Sequence, residues 1–482
     1  MKILLVNTPI ARRDILGQFA PIYKDMKMVP TGLAYLASFV RQAGVGVQIL
    51  DQYAECLPMN EVFLRIEKYS PDLIGYSATT PNYNAAVDFV QAIKNNFPGI
   101  LTVMGGYHPS ILPDETLDNP AVDFVIRDEG EVALTQLCGA LDDKKKSFDH
   151  IDGLSYKSAG GHNHNKKAVS VDVNELPFPA YDLLPMHLYS SPSYTKFALP
   201  VYQMIASRGC PYQCTYCINA ELNVSAKYRK RNIKSVVDEM EILVERFHAK
   251  QVQFWDPLFP LGKRHAQEFC EAIMRRGLHQ RLVWNSTTRA ESLDEETIDV
   301  MVQAGCRGLG FGLESGVPEL LQSVNKKLDL EKIRRICKIG RKKGLVIAAG
   351  FILGFPGETK ETAQRTIDYA KSLDLHYAQF SIMVPYPGTP LYKSLKKQGE
   401  IPAIEENDYV RYNQSVGLTG LDPIYVPKGW TPAELKAVQK RAYTQFYLRP
   451  RMVLFHLPHL KLSKIISMMK SFWSVVSLLF RR

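Results

Sequence analysis

The first 145 residues alternate short apolar runs with segments in which apolar residues recur every three or four positions. This pattern predicts strands and helices joined by short loops. The predicted strands span residues 2–7, 46–51, 73–77 and 101–104, and the predicted helices span residues 31–43, 60–69 and 83–95. Strands that alternate with helices are typical of a doubly wound parallel sheet, which binds ligands at the carboxyl ends of its strands. We therefore expect an N-terminal α/β domain of the Rossmann-like type over residues 1–145.

Residues 146–199 are predicted to connect this domain to the next. Pro177, Pro179 and Pro185 indicate an extended passage, because proline and the residue before it disfavour helix. Residues 160–165 predict a turn between two short strands. His162 and His164 lie in this turn and could bind a metal, but a pair of histidines in a polar turn is better explained as solvated.

From residue 200 the pattern is a strand followed by a helix, repeated six times. The predicted strands span residues 201–206, 252–256, 283–287, 308–313, 346–353 and 378–384. Six such units predict a partial (β/α)6 barrel of the TIM type over residues 200–395. The active sites of such barrels lie at the carboxyl ends of the strands.

The C-terminal region, residues 396–482, is predicted to be helical. Its last segment, residues 460–482, forms an amphipathic pattern with a wide apolar face and basic edges, too short and too interrupted to span a bilayer. Two interpretations stay open. The segment can lie on an anionic membrane surface, which would suggest a lipid, isoprenoid or tetrapyrrole substrate, or it can dock onto the protein's own body or a twin subunit.

The net charge of +10 is concentrated in the last 48 residues, since from Leu435 onward there are ten basic residues and no acidic ones. Without that tail the chain has 49 basic and 49 acidic residues, so no nucleic-acid partner is indicated. Residues 1–7 enter a strand-like run without a long apolar leader or cleavage site. We expect a cytoplasmic protein, at the inner face of the cell membrane if the tail binds lipid.

Three of the eight cysteines, Cys210, Cys214 and Cys217, form a C-x3-C-x2-C motif. Three thiolates on one loop can hold three corners of a four-iron cluster and leave one iron open for catalysis. The alternatives are a zinc ion with a remote fourth ligand, or no metal. The other five cysteines are scattered singly through apolar stretches, as buried free thiols are in a reduced compartment.

The cysteine spacing, with the aromatic Tyr216 just before the last cysteine, resembles the radical S-adenosylmethionine (radical SAM) superfamily. The resemblance implies that the open iron chelates SAM and that the reduced cluster cleaves SAM to a 5′-deoxyadenosyl radical, which takes hydrogen from an unactivated carbon. It also implies an electron donor such as flavodoxin or ferredoxin.

Later segments of the predicted barrel match the same family in the expected order. Residues 350–358 match its G-x-I-x-G-x-x-G-E adenine segment, and residues 312–316 stand where the family binds the methionine and ribose parts of SAM. The residues that the resemblance assigns to SAM are Tyr216, Asp256, Glu314, Ser315, Gly350, Ile352 and Gly354.

The N-terminal segment, with hydroxyl residues at 77–80 and the pair Gly105-Gly106, resembles the cobalamin-binding domain that precedes one large branch of radical SAM enzymes. The residues that this resemblance assigns to cobalamin are Thr8, Ser77, Thr79, Gly105, Gly106 and His108. No Asp-x-His-x-x-Gly motif follows the first strand, so a lower axial histidine should be missing. His108 can ligate cobalt, or it can hydrogen-bond its own turn or a ligand edge. A nucleotide-fold domain without a ligand is the alternative.

Over residues 1–395 the chain therefore resembles a cobalamin-binding radical SAM enzyme. The resemblance implies a four-iron four-sulfur cluster, SAM and cobalamin, and in most relatives a methyl group passes to carbon. We expect methylation of a small hydrophobic molecule. The alternatives are an oxidative cyclase or rearrangement enzyme without methyl transfer, and a cobalamin-binding sensor. A methylthiotransferase is disfavoured because the N-terminal domain has only Cys56 and Cys138, fewer than the three cysteines needed there.

Overall fold

The computed structural model describes residues 1–8, 27–143, 147–191, 195–220, 228–402, 408–413 and 421–456. The tail that the sequence predicts as an amphipathic helix, residues 460–482, lies outside the described residues. None of the helices in the described ranges combines the length and apolar character needed to cross a membrane.

The strands are β1 (Lys2–Asn7), β2 (Gly46–Asp51), β3 (Leu73–Ser77), β4 (Leu101–Gly105), β5 (Phe124–Ile126), β6 (Leu154–Ser158), β7 (Gly161–His164), β8 (Val201–Met204), β9 (Ser207–Arg208), β10 (Arg229–Lys230), β11 (Gln251–Phe254), β12 (Val283–Thr288), β13 (Cys306–Glu314), β14 (Val346–Leu353) and β15 (Tyr377–Ile382).

The helices are α1 (Thr31–Gln42), α2 (Gln52–Glu55), α3 (Met59–Tyr69), α4 (Tyr83–Asn96), α5 (Tyr107–Ile111), α6 (Pro113–Asp118), α7 (Glu131–Asp142), α8 (Ile233–Phe247), α9 (Lys263–Arg275), α10 (Glu295–Gln303), α11 (Pro318–Ser323), α12 (Leu330–Lys342), α13 (Lys360–Ser372), α14 (Pro390–Lys397), α15 (Pro432–Tyr447) and α16 (Pro450–His456).

The first sheet has the strand order β2-β1-β3-β4-β5-β6-β7, with the first five strands parallel. Alternate residues of β1 enter different layers: Ile3 and Leu5 pack on one face and Leu4 and Val6 on the other, each at most 2% exposed. Burial of both faces is the mark of a doubly wound sheet. The strand order reverses between β1 and β3, and such sheets bind ligands at the carboxyl ends of the strands where the order reverses.

The hairpin of β6 and β7 continues this sheet with antiparallel pairing, although the sequence places it in the connector. Residues 161–164, predicted as part of a turn, form β7 instead, and the turn itself takes up residues 159–160. The strand forms because its backbone pairs with β6 and because His162 and His164 both contact one carboxylate oxygen of Asp114, at 3.1 and 2.8 Å.

The second sheet is the predicted partial barrel. Its six parallel strands lie in the order β15-β14-β13-β12-β11-β8, and the helices of each crossover cover the outer face. In β13 the outward residues Leu309, Phe311 and Leu313 are buried in the core beneath these helices, so the intervening residues point into the barrel.

Side chains of α15 cover the open edge of β15. Gln439 Nε2 donates to the carbonyl of Phe380 at 2.7 Å, and the Phe380 N–H donates to Tyr443 Oη at 3.2 Å. The Ala378 N–H donates to Tyr447 Oη at 3.1 Å, and that hydroxyl donates to the Ala378 carbonyl at 3.0 Å. These groups satisfy the strand edge in place of a seventh strand, since an unpaired buried backbone group is costly.

Tyr447→Phe should lower the stability of the protein by about 1 kcal/mol, because the variant loses two hydrogen bonds to Ala378 and keeps the ring. Tyr443→Phe is the matched control, since it loses the bond from Phe380. Urea denaturation should rank Tyr447→Phe below Tyr443→Phe, and equal stability of wild type and Tyr447→Phe would contradict the role of this hydroxyl.

The two domains are joined at the base of the cysteine loop by a network of ion pairs. Arg208, in β9, lies 2.5 Å from Glu131 and 3.3 Å from Glu129 of the N-terminal domain, and its guanidinium stacks over the Tyr35 ring at 5.3 Å. Arg229 pairs with Glu129 from the neighbouring strand β10. The strand leading into the cysteine motif is thereby fixed to the first domain.

Candidate functional site

The three cysteines lie on the loop that follows β8 and β9. Cys214 is buried, and Cys210 and Cys217 are partly buried. Burial, together with the neighbouring thiols, raises the pKa of Cys217 to about 11 and also raises that of Cys210. Positive charge is therefore needed to hold these groups as thiolates, and the irons of a cluster would provide it. The donor set fits a metal cluster.

A zinc ion is the alternative to a cluster at these cysteines. Among the described residues, no group of three or more histidine, cysteine, aspartate or glutamate side chains is placed to hold a single metal ion. A cluster differs from a single ion because each thiolate binds a separate iron at its own corner. The three cysteines can therefore serve a cluster without converging on one ion.

A cavity of about 790 Å³ begins at the cysteine loop and runs through the interior of the barrel. Cys217 and Tyr216 are among the residues that line it, and strands β11 to β15 supply its walls. The volume is that of a small-molecule site.

Small residues on two strands keep this cavity open. The inward positions of β13 are Gly308, Gly310 and Gly312, and those of β14 include Ala348 and Gly350. A Cβ added to Gly350 would meet nothing within 4 Å, whereas one added to Gly312 would lie 2.7 Å from Glu314 Oε1. The glycines therefore leave space for a ligand and for the side chains at its rim.

Four of the residues predicted to bind SAM line the cavity together: Tyr216, Glu314, Gly350 and Ile352. Glu314 adopts a left-handed backbone with φ 64° at the end of β13 and accepts a hydrogen bond from Lys326 Nζ at 2.7 Å. The same Nζ lies 3.3 Å from Tyr216 Oη. Burial and the Glu314 carboxylate raise the pKa of Tyr216, so this phenol keeps its proton.

The other three residues predicted to bind SAM are held outside the cavity wall. Asp256 accepts hydrogen bonds from the backbone of Ala206 at 3.0 Å and from the Ser207 hydroxyl, and burial raises its pKa to about 7. It therefore ties the end of β11 to the start of the cysteine segment. The contact of Asp256 with SAM stays a prediction.

Ser315 and Gly354 support the rim from behind. The Ser315 hydroxyl shares a hydrogen bond with Thr366 at 2.9 Å, on α13. Gly354 has φ 92°, its N–H donates to the buried Glu358 carboxylate, and an added Cβ would lie 3.1 Å from Leu435. These two residues shape the turns after β13 and β14.

The residues predicted to bind cobalamin lie at the carboxyl edge of the first sheet. Thr8 directly follows β1. Ser77 is the last residue of β3 and Thr79 lies two residues further on, and both are exposed. Gly106 has φ 97°, and a Cβ there would lie 2.5 Å from Ser77 Oγ and 2.6 Å from the Ala78 carbonyl. Glycine is thus required for the loops after β3 and β4 to pack together, and the exposed hydroxyls fit a ligand at this edge.

This edge faces the cysteine loop. Tyr107, next to the Gly105-Gly106 pair, donates its hydroxyl to Asn219 Oδ1 at 3.5 Å, and Asn219 lies two residues after Cys217. The two predicted cofactor sites are therefore neighbours across the domain interface.

Two family models match the chain. One, described as the B12 binding domain, matches residues 25–138, and the other, described as the radical SAM superfamily, matches residues 204–370. An uncharacterized methyltransferase of Pyrococcus horikoshii is 34% identical over 458 residues, which cover 94% of each chain. The chain belongs to the cobalamin-binding radical SAM enzymes.

Two further comparisons agree with this family. The anaerobic magnesium-protoporphyrin IX monomethyl ester cyclase of Rubrivivax gelatinosus is 27% identical over 434 residues, 87% of this chain and 74% of the cyclase. The structure of the radical SAM methyltransferase TsrM from Kitasatospora setae, with cobalamin and a [4Fe-4S] cluster bound, superposes with a TM-score of 0.72 at 19% identity, covering 93% of this chain and 91% of TsrM. The predicted fold class is confirmed, as are the predicted cofactors: a four-iron cluster, SAM and cobalamin.

The side chain of His108 is buried and does not lie on the surface of the first domain. Its ring stacks on Tyr83 at 3.8 Å, meets Tyr409 edge-on at 4.6 Å, and is 1% exposed. Nδ1 lies 3.4 Å from Thr80 Oγ1, and burial lowers the pKa of the ring. The ring is thus packed between Tyr83 of its own domain and Tyr409 of the C-terminal region, and its contact with cobalt or with a ligand edge stays a prediction.

Three residues of the site carry no signal in the sequence. Lys326 has no motif around it, and its position becomes meaningful only when β13 and the cysteine loop meet. Tyr443 and Tyr447 line the cavity from α15, in a region that the sequence places beyond the barrel. A contact over such a separation leaves no local pattern.

Gly350→Val should weaken SAM binding by about ten-fold, because the added side chain enters the cavity where a tight site resists extra volume. The melting temperature should stay close to that of wild type, since nothing lies within 4 Å of an added Cβ. Calorimetric titration of the reconstituted protein with SAM measures the effect. Gly139→Ala in α7 is the control, and unchanged SAM binding in Gly350→Val would remove Gly350 from the SAM site.

Proposed function

We propose that Cys210, Cys214 and Cys217 hold the four-iron cluster and that this enzyme methylates an unactivated carbon of a small hydrophobic molecule. The observation that carries the proposal is the position of the cysteine loop, which lines the barrel cavity and faces the loops predicted to bind cobalamin. Methyl transfer is supported by the relative of Pyrococcus horikoshii, which is named a methyltransferase and matches nearly the whole chain.

The cofactors carry the reaction chemistry: when bound, the cluster and SAM supply a radical that removes hydrogen, and cobalamin supplies the methyl group. The chain's own residues orient the cofactors and the substrate and enclose them. Glu314 presents a carboxylate beside the cavity, suited to an ammonium or to sugar hydroxyls, and Ile352 offers an aliphatic surface near the predicted adenine segment. We propose that a flavodoxin or ferredoxin supplies the electron.

The lining of the cavity supports an uncharged substrate. Among the described residues that line it, Glu314 is the only one with a carboxylate and none has a cationic side chain. Glu314 is neutralised by Lys326. The deeper wall is aromatic and amide-bearing, with Phe197, Tyr377 and Gln379. A charged group placed there would lose its hydration without a partner, which is costly.

One second function has a specific observation in its favour. The cyclase of Rubrivivax gelatinosus matches 87% of this chain, so an oxidative cyclisation without methyl transfer uses the same architecture. Methyl-labelled SAM separates the two functions, since label in the product supports transfer and its absence with turnover supports cyclisation.

Cys214→Ala should abolish reductive cleavage of SAM, because the cluster loses one of its three corners and the buried loop offers no replacement thiol. Chromatography of 5′-deoxyadenosine after anaerobic reconstitution measures the activity. Cys56→Ala is the matched control: Cys56 is an exposed free cysteine in the first domain. Cleavage that survives Cys214→Ala and fails in Cys56→Ala would overturn the assignment of the cluster.

We propose further that the enzyme contacts an anionic membrane surface through residues 460–482. The helix that leads to this tail, α16, exposes Val453 at 46% and Leu454 at 66%, unusually open positions for large apolar side chains. The tail beyond is basic and has no acidic residue. Apolar contact combined with basic charge is the combination that binds a lipid surface.

Wild-type protein should sediment with phosphatidylglycerol vesicles and not with phosphatidylcholine vesicles. Leu454→Glu should weaken this binding by about ten-fold, because it replaces an exposed apolar side chain, which the membrane would bury, with a charge that the anionic surface repels. Leu64→Glu in α3 is the control, since Leu64 is 58% exposed in the other domain. Sedimentation with neither vesicle type would contradict membrane binding and favour docking of the tail onto the protein itself or a twin subunit.

A further inference from the structure

The backbone of the cysteine loop is held between two other loops of the barrel. The Thr215 N–H donates to the carbonyl of Val324 at 3.0 Å, and the Thr215 carbonyl accepts from the N–H of Leu391 at 3.0 Å. Thr215 lies between Cys214 and Tyr216. Its N–H and its carbonyl are both bound by partners that are distant in the chain. The turn formed by residues 324–326, which follows α11, is one of these partners.

The same turn makes a second contact with the backbone of the cysteine loop. Asn325 has φ 54°, a left-handed backbone that asparagine adopts readily, and its Nδ2 donates to the Gln213 carbonyl at 2.9 Å. Lys326 follows, and its N–H donates to the Leu321 carbonyl at 2.8 Å, which fixes the turn to α11. The turn and the cysteine loop are thus attached at successive residues.

Lys326 directs its charge into the site. Its side chain is 11% exposed, and Nζ pairs with Glu314 Oε1 at 2.7 Å and lies 3.3 Å from Tyr216 Oη. The Glu314 side chain is 14% exposed, so this pair is mostly withdrawn from water. Removing one partner of such a pair leaves the other charge uncompensated.

The residues around the Lys326–Glu314 pair leave room for it and set its geometry. Gly312 leaves the space that a side chain would fill, since a Cβ there would lie 2.7 Å from Glu314 Oε1 and 3.4 Å from Lys326 Nζ. Glu314 holds a left-handed backbone, which an ordinary residue adopts only at some cost. A position without a side chain and a residue with a left-handed backbone therefore converge on the contact with Lys326.

We infer that Lys326 is a positioning residue for the radical reaction: its ammonium fixes Glu314 toward SAM and places a positive charge beside the cysteine loop. The inference rests on the proposed function, in which the three cysteines hold the cluster. A fixed cation near a cluster stabilises the added electron, because reduction makes the cluster more negative. Lys326 would thus act on SAM binding and on reduction at once.

Lys326→Met tests this inference with a side chain of similar length and no charge. The midpoint potential of the cluster, followed by the electron paramagnetic resonance signal in a redox titration, should become more negative. SAM affinity should fall by about ten-fold, the scale expected when a charged group loses its hydrogen-bond partner. Lys326→Arg keeps the charge and should keep the potential close to that of wild type.

Lys327→Met is the matched control. It removes the same charge from the adjacent residue, whose side chain is exposed, and solvent should screen its effect on the cluster. A shift in Lys326→Met that is absent in Lys327→Met and in Lys326→Arg supports the inference. A merely structural role would lower iron content or melting temperature without moving the potential of the cluster that remains.

Two negative results have different meanings. If wild type holds a reducible cluster and Lys326→Met has the same potential and the same SAM affinity, the role of Lys326 is wrong and the proposed function stands. If wild type holds no reducible cluster after reconstitution, or Cys214→Ala keeps it, the proposed function itself is wrong and the inference falls with it.

Discussion

The relative placement of the two domains depends on the ion pairs at the base of the cysteine loop. Arg208 lies two residues before Cys210 and is held by Glu129 and Glu131 of the other domain. All three side chains are at most 16% exposed. Withdrawing these charges from water costs several kcal/mol per ion, on the order of what good pairing geometry returns. Displacing the domains would separate the charges without restoring their hydration, so one docking arrangement is strongly preferred.

That arrangement matters because the cofactors belong to different domains. The edge of the first sheet, with Ser77 and Gly106, faces the loop that carries Cys217 through the contact of Tyr107 with Asn219. The substrate cavity opens at the same junction. Small inward residues of β13 and β14, among them Gly312 and Gly350, contribute to its space. The buried aromatic and aliphatic residues between the strands and the outer helices form the hydrophobic core. Side chains inside the barrel are therefore not needed for that core.

The features that the sequence predicted are those encoded locally. Strands β1, β2 and β14 begin and end where expected because apolar alternation directly reflects burial on the sheet. The cysteine motif is local as well. β7 was mistaken for a turn because its polar residues show no alternation, and its pairing with β6 decides its structure.

Other parts of the site required the fold. Lys326 lies 110 residues from Tyr216, and no spacing rule connects them. Asp256 follows β11 as predicted, yet its side chain bonds to Ala206 and Ser207 and does not line the cavity. The sequence does not show in which direction a side chain points at the end of a strand. The use of Tyr443 and Tyr447 has a wider consequence. The same two rings wall the cavity and protect the edge of β15, so the barrel and α15 form one folding unit. Replacing Tyr443 or Tyr447 to change the pocket would leave backbone groups of β15 unpaired, and an unpaired strand edge promotes aggregation. The evolution of substrate range on this wall is constrained accordingly.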